Sequence, residues 1–525
     1  MGRQRIPENK KLAAALAALH NVLGSDLGVV RGNQLKQSER EILQKNGFLQ
    51  EIIKGWYFVS DPTASPGDTT PFFANYWEYV SRYLQERFGD QYCLSPEHSL
   101  LMHAENNVIP KQVNILTSQN ATYKVDLYGD YSLFIYPGKS AQGKSLKQIV
   151  RGVYCLTAPV CLTALGPRFF QSNAGDIQIV MSKIGDPSEI AVLAELNAVG
   201  VGRLIGAYRQ IGDQSFADGI QKQLDGLPIK VVVTNSPFDQ NPIYHLSARN
   251  RHALYSRIKL LWSKHRNTVL AYKPKIEVID VAQDHYLAAI ESLKIEDAYH
   301  SLSIERYRVT PELIQKIAEG QWNSDSPEDR QHIAAMAAKG YLLAFSLVKG
   351  DAGQAYAHKR SAADLFADHH QAWFRQLFAP SVDAGILKPS DLIGYRRHMV
   401  FLRGSLHSPP HFDHVLDGME ALKECMVDEG DAFVRATLSH WLLGYIHPFM
   451  DGNGRMARFT MNLMLAEGGY PWTVIRVDDR EAYMEALEIA SAKDDLEPFA
   501  RFLADRIVLA HSKIANIDYN ATGNT

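Results

Sequence analysis

Within residues 447–458, His447-Pro448-Phe449-Met450-Asp451-Gly452-Asn453-Gly454-Arg455-Met456-Ala457-Arg458, the chain gathers an imidazole, a carboxylate, two glycines and two guanidinium groups. An imidazole is the side chain best suited to accept a proton near neutral pH. A carboxylate such as that of Asp451 is the hard oxygen ligand Mg2+ takes when it sits beside phosphates. A glycine-containing loop running into a helix presents free backbone N–H groups and the positive end of the helix dipole, which together make an anion site. Gly452, Asn453 and Gly454 form that loop, and Arg455 and Arg458, three apart in the first turn, can fork phosphate with charge-assisted hydrogen bonds. Cations at a helix N-terminus oppose the dipole, so a purely structural reason for both arginines is weak. Each residue alone also fits a helix start capped by Asp451 or Asn453, with His447 a structural histidine. Jointly they call for a phosphate ligand.

The segment resembles the motif of the Fic family, His-Pro-Phe-x-Asp/Glu-Gly-Asn-Gly/Lys-Arg-x-x-Arg, at every defined position. The resemblance implies an all-helical domain that transfers AMP from ATP, with Mg2+, onto a Ser, Thr or Tyr hydroxyl of a protein target. In it His447 is the catalytic base, Asp451 holds the metal, and Gly452, Asn453 and Gly454 cradle phosphates. Arg455 and Arg458 bind the β- and γ-phosphates, and Phe449 anchors the loop in the core. Doc-like members, which transfer phosphate, resemble a motif with Lys where Gly454 stands, which argues against that chemistry; AMP removal stays open. Gly394-Tyr395-Arg396 and Val400-Phe401-Leu402-Arg403-Gly404-Ser405 look like the β-hairpin flap that aligns the target by strand addition. Ser301-Leu302-Ser303-Ile304-Glu305-Arg306 resembles the inhibitory helix Ser/Thr-x-x-x-Glu-Gly/Asn, in which the glutamate pairs with the second motif arginine, here Arg458. Arg306 stands where the family has a small residue. Fic proteins often form dimers, which leaves a homodimer open here.

The motif must be a loop between two helices. Phe433 to Ile446 and Phe459 to Leu465 are apolar at helical spacing, Pro448 stops the first helix, and Gly468-Gly469 ends the second. From about 278 to 510 the pattern is helical throughout, and the polar residues 511–525 read as a loose tail. The overall expectation is a mainly α chain, preceded by two further regions. Residues 1–60 have the layout of a winged helix: Leu12, Leu16, Leu19 and Leu23 at helical spacing, a short helix opened by a Ser38-x-x-Glu41 capping box and closed by Asn46-Gly47, then two strands around Lys54-Gly55. An excess of basic side chains there admits DNA as a partner, a DNA-binding or antitoxin-like regulator being the alternative reading, as does a plain packing module. Residues 72–265 read as α+β, with β-branched runs at Val113–Leu116, Ile177–Val180 and Ile229–Val233. Lys45 to Val59 with Leu94-Ser95-Pro96-Glu97 resembles AbiEi-type antitoxins. Asp61 to Asp68 is the linker candidate. Gly200-x-Gly202-x-x-x-Gly206 has the wrong spacing for a dinucleotide fingerprint and reads as a turn with close packing.

Composition bounds the rest. The 525 residues allow two to four domains, and 46% apolar with 22% charged side chains is ordinary for folded chains. A net charge of −3 provides no global attraction to nucleic acid or anionic membrane. No apolar run approaches the roughly 18 residues that span a bilayer, so no membrane is expected. Cys93, Cys155, Cys161 and Cys425 form no CxxC pair and no disulfide framework, and a reducing cytoplasm is the expected setting.

Overall fold

The computed structural model describes residues 7–23, 28–60, 62, 70–139, 143–244, 251–321, 333–402 and 404–522. It divides into two compact units, residues 1–253 with 400–408, and residues 254–399 with 409–525.

In the first unit the helices Glu8–Leu23 and Gln37–Lys45 pack on a three-stranded antiparallel sheet in which Trp56–Val59 lies between Val29–Arg31 and Leu49–Ile53. Leu19, Leu43, Leu49 and Tyr57 form its core, and Gly47, at φ 76°, makes the turn that Asn46-Gly47 predicts. The second helix starts one residue before the expected capping box. Its cap is Lys36, whose N–H donates to Glu39 Oε2 at 2.9 Å, so Ser38 and Glu41 do not form the box. Two of the basic side chains here have partners in the same unit: Arg31 meets Glu86 at 2.9 Å and Arg40 donates to Gly32 O. The linker candidate lies outside the described residues, Pro62 apart.

Beyond it, Tyr92–Leu94, Gln112–Thr117, Ser132–Pro137 and Tyr123–Asp126 form a sheet in that spatial order, the middle pair parallel. Ser95 caps the helix Pro96–His103. Two of the three β-branched runs are not strands. Ile177–Val180 lies within the largely buried helix Ala174–Met181, where a short apolar run does not by itself distinguish helix from strand. Residues 230–234 are extended without strand pairing and lie along the helix Ala194–Gln210, Thr234 N–H donating to Gly202 O at 3.1 Å. Gly200, Gly202 and Gly206 sit inside that helix rather than in a turn. A Cβ on any of them would strike the carbonyl of Thr163, Val232 or Thr234, so close packing is their reason.

The second unit is helical. Asn453–Glu467 is its axis, buried at all positions except Gly454 and Glu467, with Ile333–Tyr356, Ala362–Asp383 and Ala432–Ile446 packed around it. Ile333–Tyr356 is apolar and long enough to cross a membrane by length and composition, which the apolar-run reading missed because Lys339, Lys349 and Asp351 interrupt it. More than half of its most apolar stretch is buried against its neighbours, as in a core helix. The last helix, Glu497–Thr522, continues through most of the stretch read as a tail.

The flap segment differs from the expected hairpin. Around Arg403, which is outside the described residues, no strands pair; instead Ile109 N–H donates to Leu406 O at 3.3 Å and Ser408 N–H to Asn107 O at 3.1 Å. The second limb thus satisfies its backbone on residues 107–109, and Met399 and Phe401 of the first limb stay exposed.

Candidate active site

The loop between Ala432–Ile446 and Asn453–Glu467 is bent by two left-handed residues, His447 at φ 51° and Gly452 at φ 81°. His447 N–H still closes the first helix on Leu443 O at 2.9 Å. Phe449 is buried and stacks on Phe374, ring centroids 3.9 Å apart and nearly parallel. Asn453 fastens the loop at that point: its Oδ1 accepts from Phe449 N–H at 2.9 Å and its Nδ2 donates to Phe449 O at 2.8 Å. Its side chain is therefore a brace, and what it offers an anion is its backbone N–H. Asp451 does not cap the helix; it accepts from Gly452 N–H at 2.6 Å. The first internal bond of the helix runs from Met456 N–H to Gly452 O, which leaves the amides of Asn453, Gly454 and Arg455 at its positive end.

Both motif arginines are almost fully buried. Arg455 lies between the rings of Tyr307 and Phe378, at 5.3 and 5.0 Å, and pairs with Asp451 at 3.1 Å; its Nε and Nη1 are buried without an acceptor. Arg458 donates from Nε to Ser301 Oγ at 2.8 Å, and from Nη2 to Ser301 O at 3.1 Å and Glu305 Oε1 at 2.8 Å; its Nη1 has no hydrogen-bond partner. A Cβ on Gly454 would collide with Glu305 Oε1 and crowd Arg458 Nη1. The Glu305 carboxylate thus lies against the helix start, on Gly454 and Arg458. Buried guanidinium nitrogens without acceptors are costly, and phosphate oxygens are the group that would satisfy them.

Ser301 and Glu305 come from the helix Lys294–Ile304 and its C-cap. Arg306 N–H donates to Ser303 O and Tyr307 N–H to Leu302 O, at 2.9 and 3.0 Å, with Arg306 at φ 67°. That is a Schellman ending with arginine at the position glycine favours, so the helix terminates where the resemblance puts its end even with Arg306 there. Upstream, Asp297 is buried and accepts from Tyr341 O–H at 3.0 Å and Trp472 Nε1–H at 3.1 Å; burial pushes its carboxyl up to about 6.

His447 is partly buried, and its Nδ1 lies 3.3 Å from Gly444 O. Burial pushes the imidazole down to about 4, with the Gly444 carbonyl opposing and Arg396 assisting. It is neutral at physiological pH and able to take a proton.

Tyr307, Phe378, Asp297, Tyr341 and Trp472 were not marked by the sequence. Each touches a motif residue or helps hold the helix Lys294–Ile304 in place, and neither an acid within that helix nor aromatic residues elsewhere carry a local sign of that. Tyr307, two residues past Glu305 with its O–H 3.3 Å from Asp451 Oδ2, was within reach of the motif reading. All four cysteines are buried and unpaired.

The Fic/DOC family model matches residues 363–465. A protein named protein adenylyltransferase Fic from Nematostella vectensis is 26% identical over 51% of this chain and 60% of its own length. The protein of the same name from Drosophila virilis is 36% identical over 21% of this chain and 23% of its own. This chain therefore spans 60% of the first relative and a smaller share of the second. A solved Fic domain containing signaling protein from Bacteroides thetaiotaomicron is 17% identical over 48% of this chain and 94% of that one, at a TM-score of 0.34. The motif geometry and the family match meet on the same residues: positions 363–465 of this chain form a Fic/DOC-family domain.

Proposed function

We propose that this site transfers AMP from ATP to a hydroxyl side chain of a protein, and that the arrangement described here is its self-inhibited form. The observation that carries it is the set of buried, acceptor-free guanidinium nitrogens on Arg455 and Arg458 at a helix start, beside the neutral His447. His447 takes the proton of the target hydroxyl. The resulting oxygen attacks the α-phosphorus, the bond to the bridging oxygen breaks, and pyrophosphate leaves with its charge held by Arg455, Arg458 and the amides of Asn453, Gly454 and Arg455. Asp451, with its side chain 62% exposed at the loop mouth, suits one carboxylate ligand of Mg2+, which when bound would neutralise charge on the phosphate oxygens. Holding it there requires Asp451 to leave Arg455 and Tyr307. Glu305 inhibits because its carboxylate and a phosphate compete for one place on Arg458. Phosphate transfer is disfavoured, since Gly454 stands where the Doc-like motif has lysine.

The test is retention of label from α-labelled against γ-labelled ATP, with magnesium, in a cell extract, by the Glu305→Gly chain beside wild type and His447→Ala. Retention of the α-label alone supports AMP transfer. Retention of the γ-label would make the site a phosphotransferase, and no retention of either would turn attention to AMP removal.

A further inference from the structure

Arg396 is buried, 5% exposed, and every acceptor it meets is a backbone carbonyl. Its Nε donates to His447 O at 2.8 Å, Nη1 to His398 O at 3.0 Å and Nη2 to Pro410 O, while its main-chain N–H donates to Pro448 O at 2.9 Å. Among the described residues no carboxylate pairs with it, and burial pushes its guanidinium down to about 10. An unpaired buried cation is costly, and packing alone would be served by an uncharged side chain. What a guanidinium supplies, and neither lysine nor an apolar residue does, is a rigid fork that reaches several carbonyls at once.

The three side-chain bonds end at separate points of the chain. His447 O belongs to the proposed base, held in a left-handed conformation unusual for a residue other than glycine. His398 and Pro410 are the two ends of the segment that carries the flap residues. We propose that Arg396 is a positioning residue that fixes the backbone of His447 to both feet of the 398–410 segment, so that the imidazole and the incoming hydroxyl are held in one register. The inference rests on the AMP-transfer reading of the site and deepens it. Arg396 touches neither ATP nor the reacting atoms. Its removal acts on the geometry of attack and leaves the phosphate-binding arginines as they are.

The experiment uses the full chain carrying Glu305→Gly, with incorporation of α-labelled ATP into the chain itself as the readout. Arg396→Met is expected to lower turnover at saturating ATP by about 100-fold, the scale on which a misplacement of about 1 Å acts, with the KM for ATP within about twofold of the parent. Arg396→Lys, which keeps the charge but gathers its donors on a single nitrogen, is expected to recover about tenfold of that loss. Thermal melting of each variant separates folding from positioning, and a folded Lys variant decides the matter if the Met variant does not fold. Parental turnover in a folded variant would overturn the inference, as would a rise in the KM for ATP matching the fall in turnover. Absence of label in the Glu305→Gly parent, with Arg396 intact, would overturn the AMP-transfer reading and this inference with it.

Discussion

The motif loop keeps its chemistry in twelve contiguous residues, whereas the helix that covers it works across long stretches of chain: Arg458 meets Ser301 at a separation of 157 positions and Glu305 at 153. In the loop, each functional group is placed by a neighbour a few positions away, as Asn453 braces Phe449 and Gly452 turns the chain into the helix. In the cover, placement depends on Asp297, Tyr341 and Trp472 holding a separate helix down. In the proposed function, local architecture makes the site able to bind phosphate, and a distant contact sets whether it does.

Breaking the loop should have the largest effect. His447→Ala is expected to lower AMP transfer by about 10²–10⁴-fold, measured as α-label incorporation, with little change in melting temperature. Breaking the cover comes next. Asp297→Ala removes the one carboxylate oxygen that accepts from both Tyr341 and Trp472, and is expected to cost about 1–3 kcal/mol in urea unfolding while raising basal transfer.

Acid should weaken the fold by a smaller amount. Burial pushes His370 down to about 4 and His440 to about 3, alongside His447 at about 4, all below the value near 6.5 of an unfolded chain. As pH falls below 6.5 the unfolded state takes up protons that the folded state refuses, so their contribution to stability is lost in that window. Asp297, raised to about 6, acts in the opposite direction, since the folded state binds its proton first. Three groups outweigh one, and the stability from urea unfolding should fall by about 2 kcal/mol between pH 6.5 and 5.5. A rise would contradict these assignments. The smallest effect sharpens the cover: Arg306→Gly removes a left-handed non-glycine residue and should stabilise the chain by about 0.5–1 kcal/mol while lowering basal transfer.

The sequence disclosed the site far better than the surroundings. His447, Asp451, Gly454, Arg455 and Arg458 converge because their spacing alone dictates a loop entering a helix. Ser301 and Glu305 were found by resemblance, since nothing in an eleven-residue amphipathic helix says which guanidinium it will meet. Asn453 and Asp451 show the limit of residue type as a guide: one braces the loop instead of presenting its side chain, and the other faces outward instead of capping. The flap failed as a hairpin because strand pairing needs a partner edge, and the second limb takes residues 107–109 instead of its own first limb. Ile177–Val180 failed because a run buried inside a helix needs no ladder, whereas Ile229–Val233, half-buried to exposed with Val232 68% exposed, runs along a helix and pairs with no strand.

The most direct test of the central claim, that the Glu305 carboxylate holds the place of a phosphate on Arg458, is the rate of α-label incorporation by wild type and Glu305→Gly measured side by side. Loss of one charge-assisted contact of about 1.5–3 kcal/mol should raise the rate by about 10- to 100-fold, with no gain when Arg458→Ala is added. Equal rates for wild type and Glu305→Gly would contradict it.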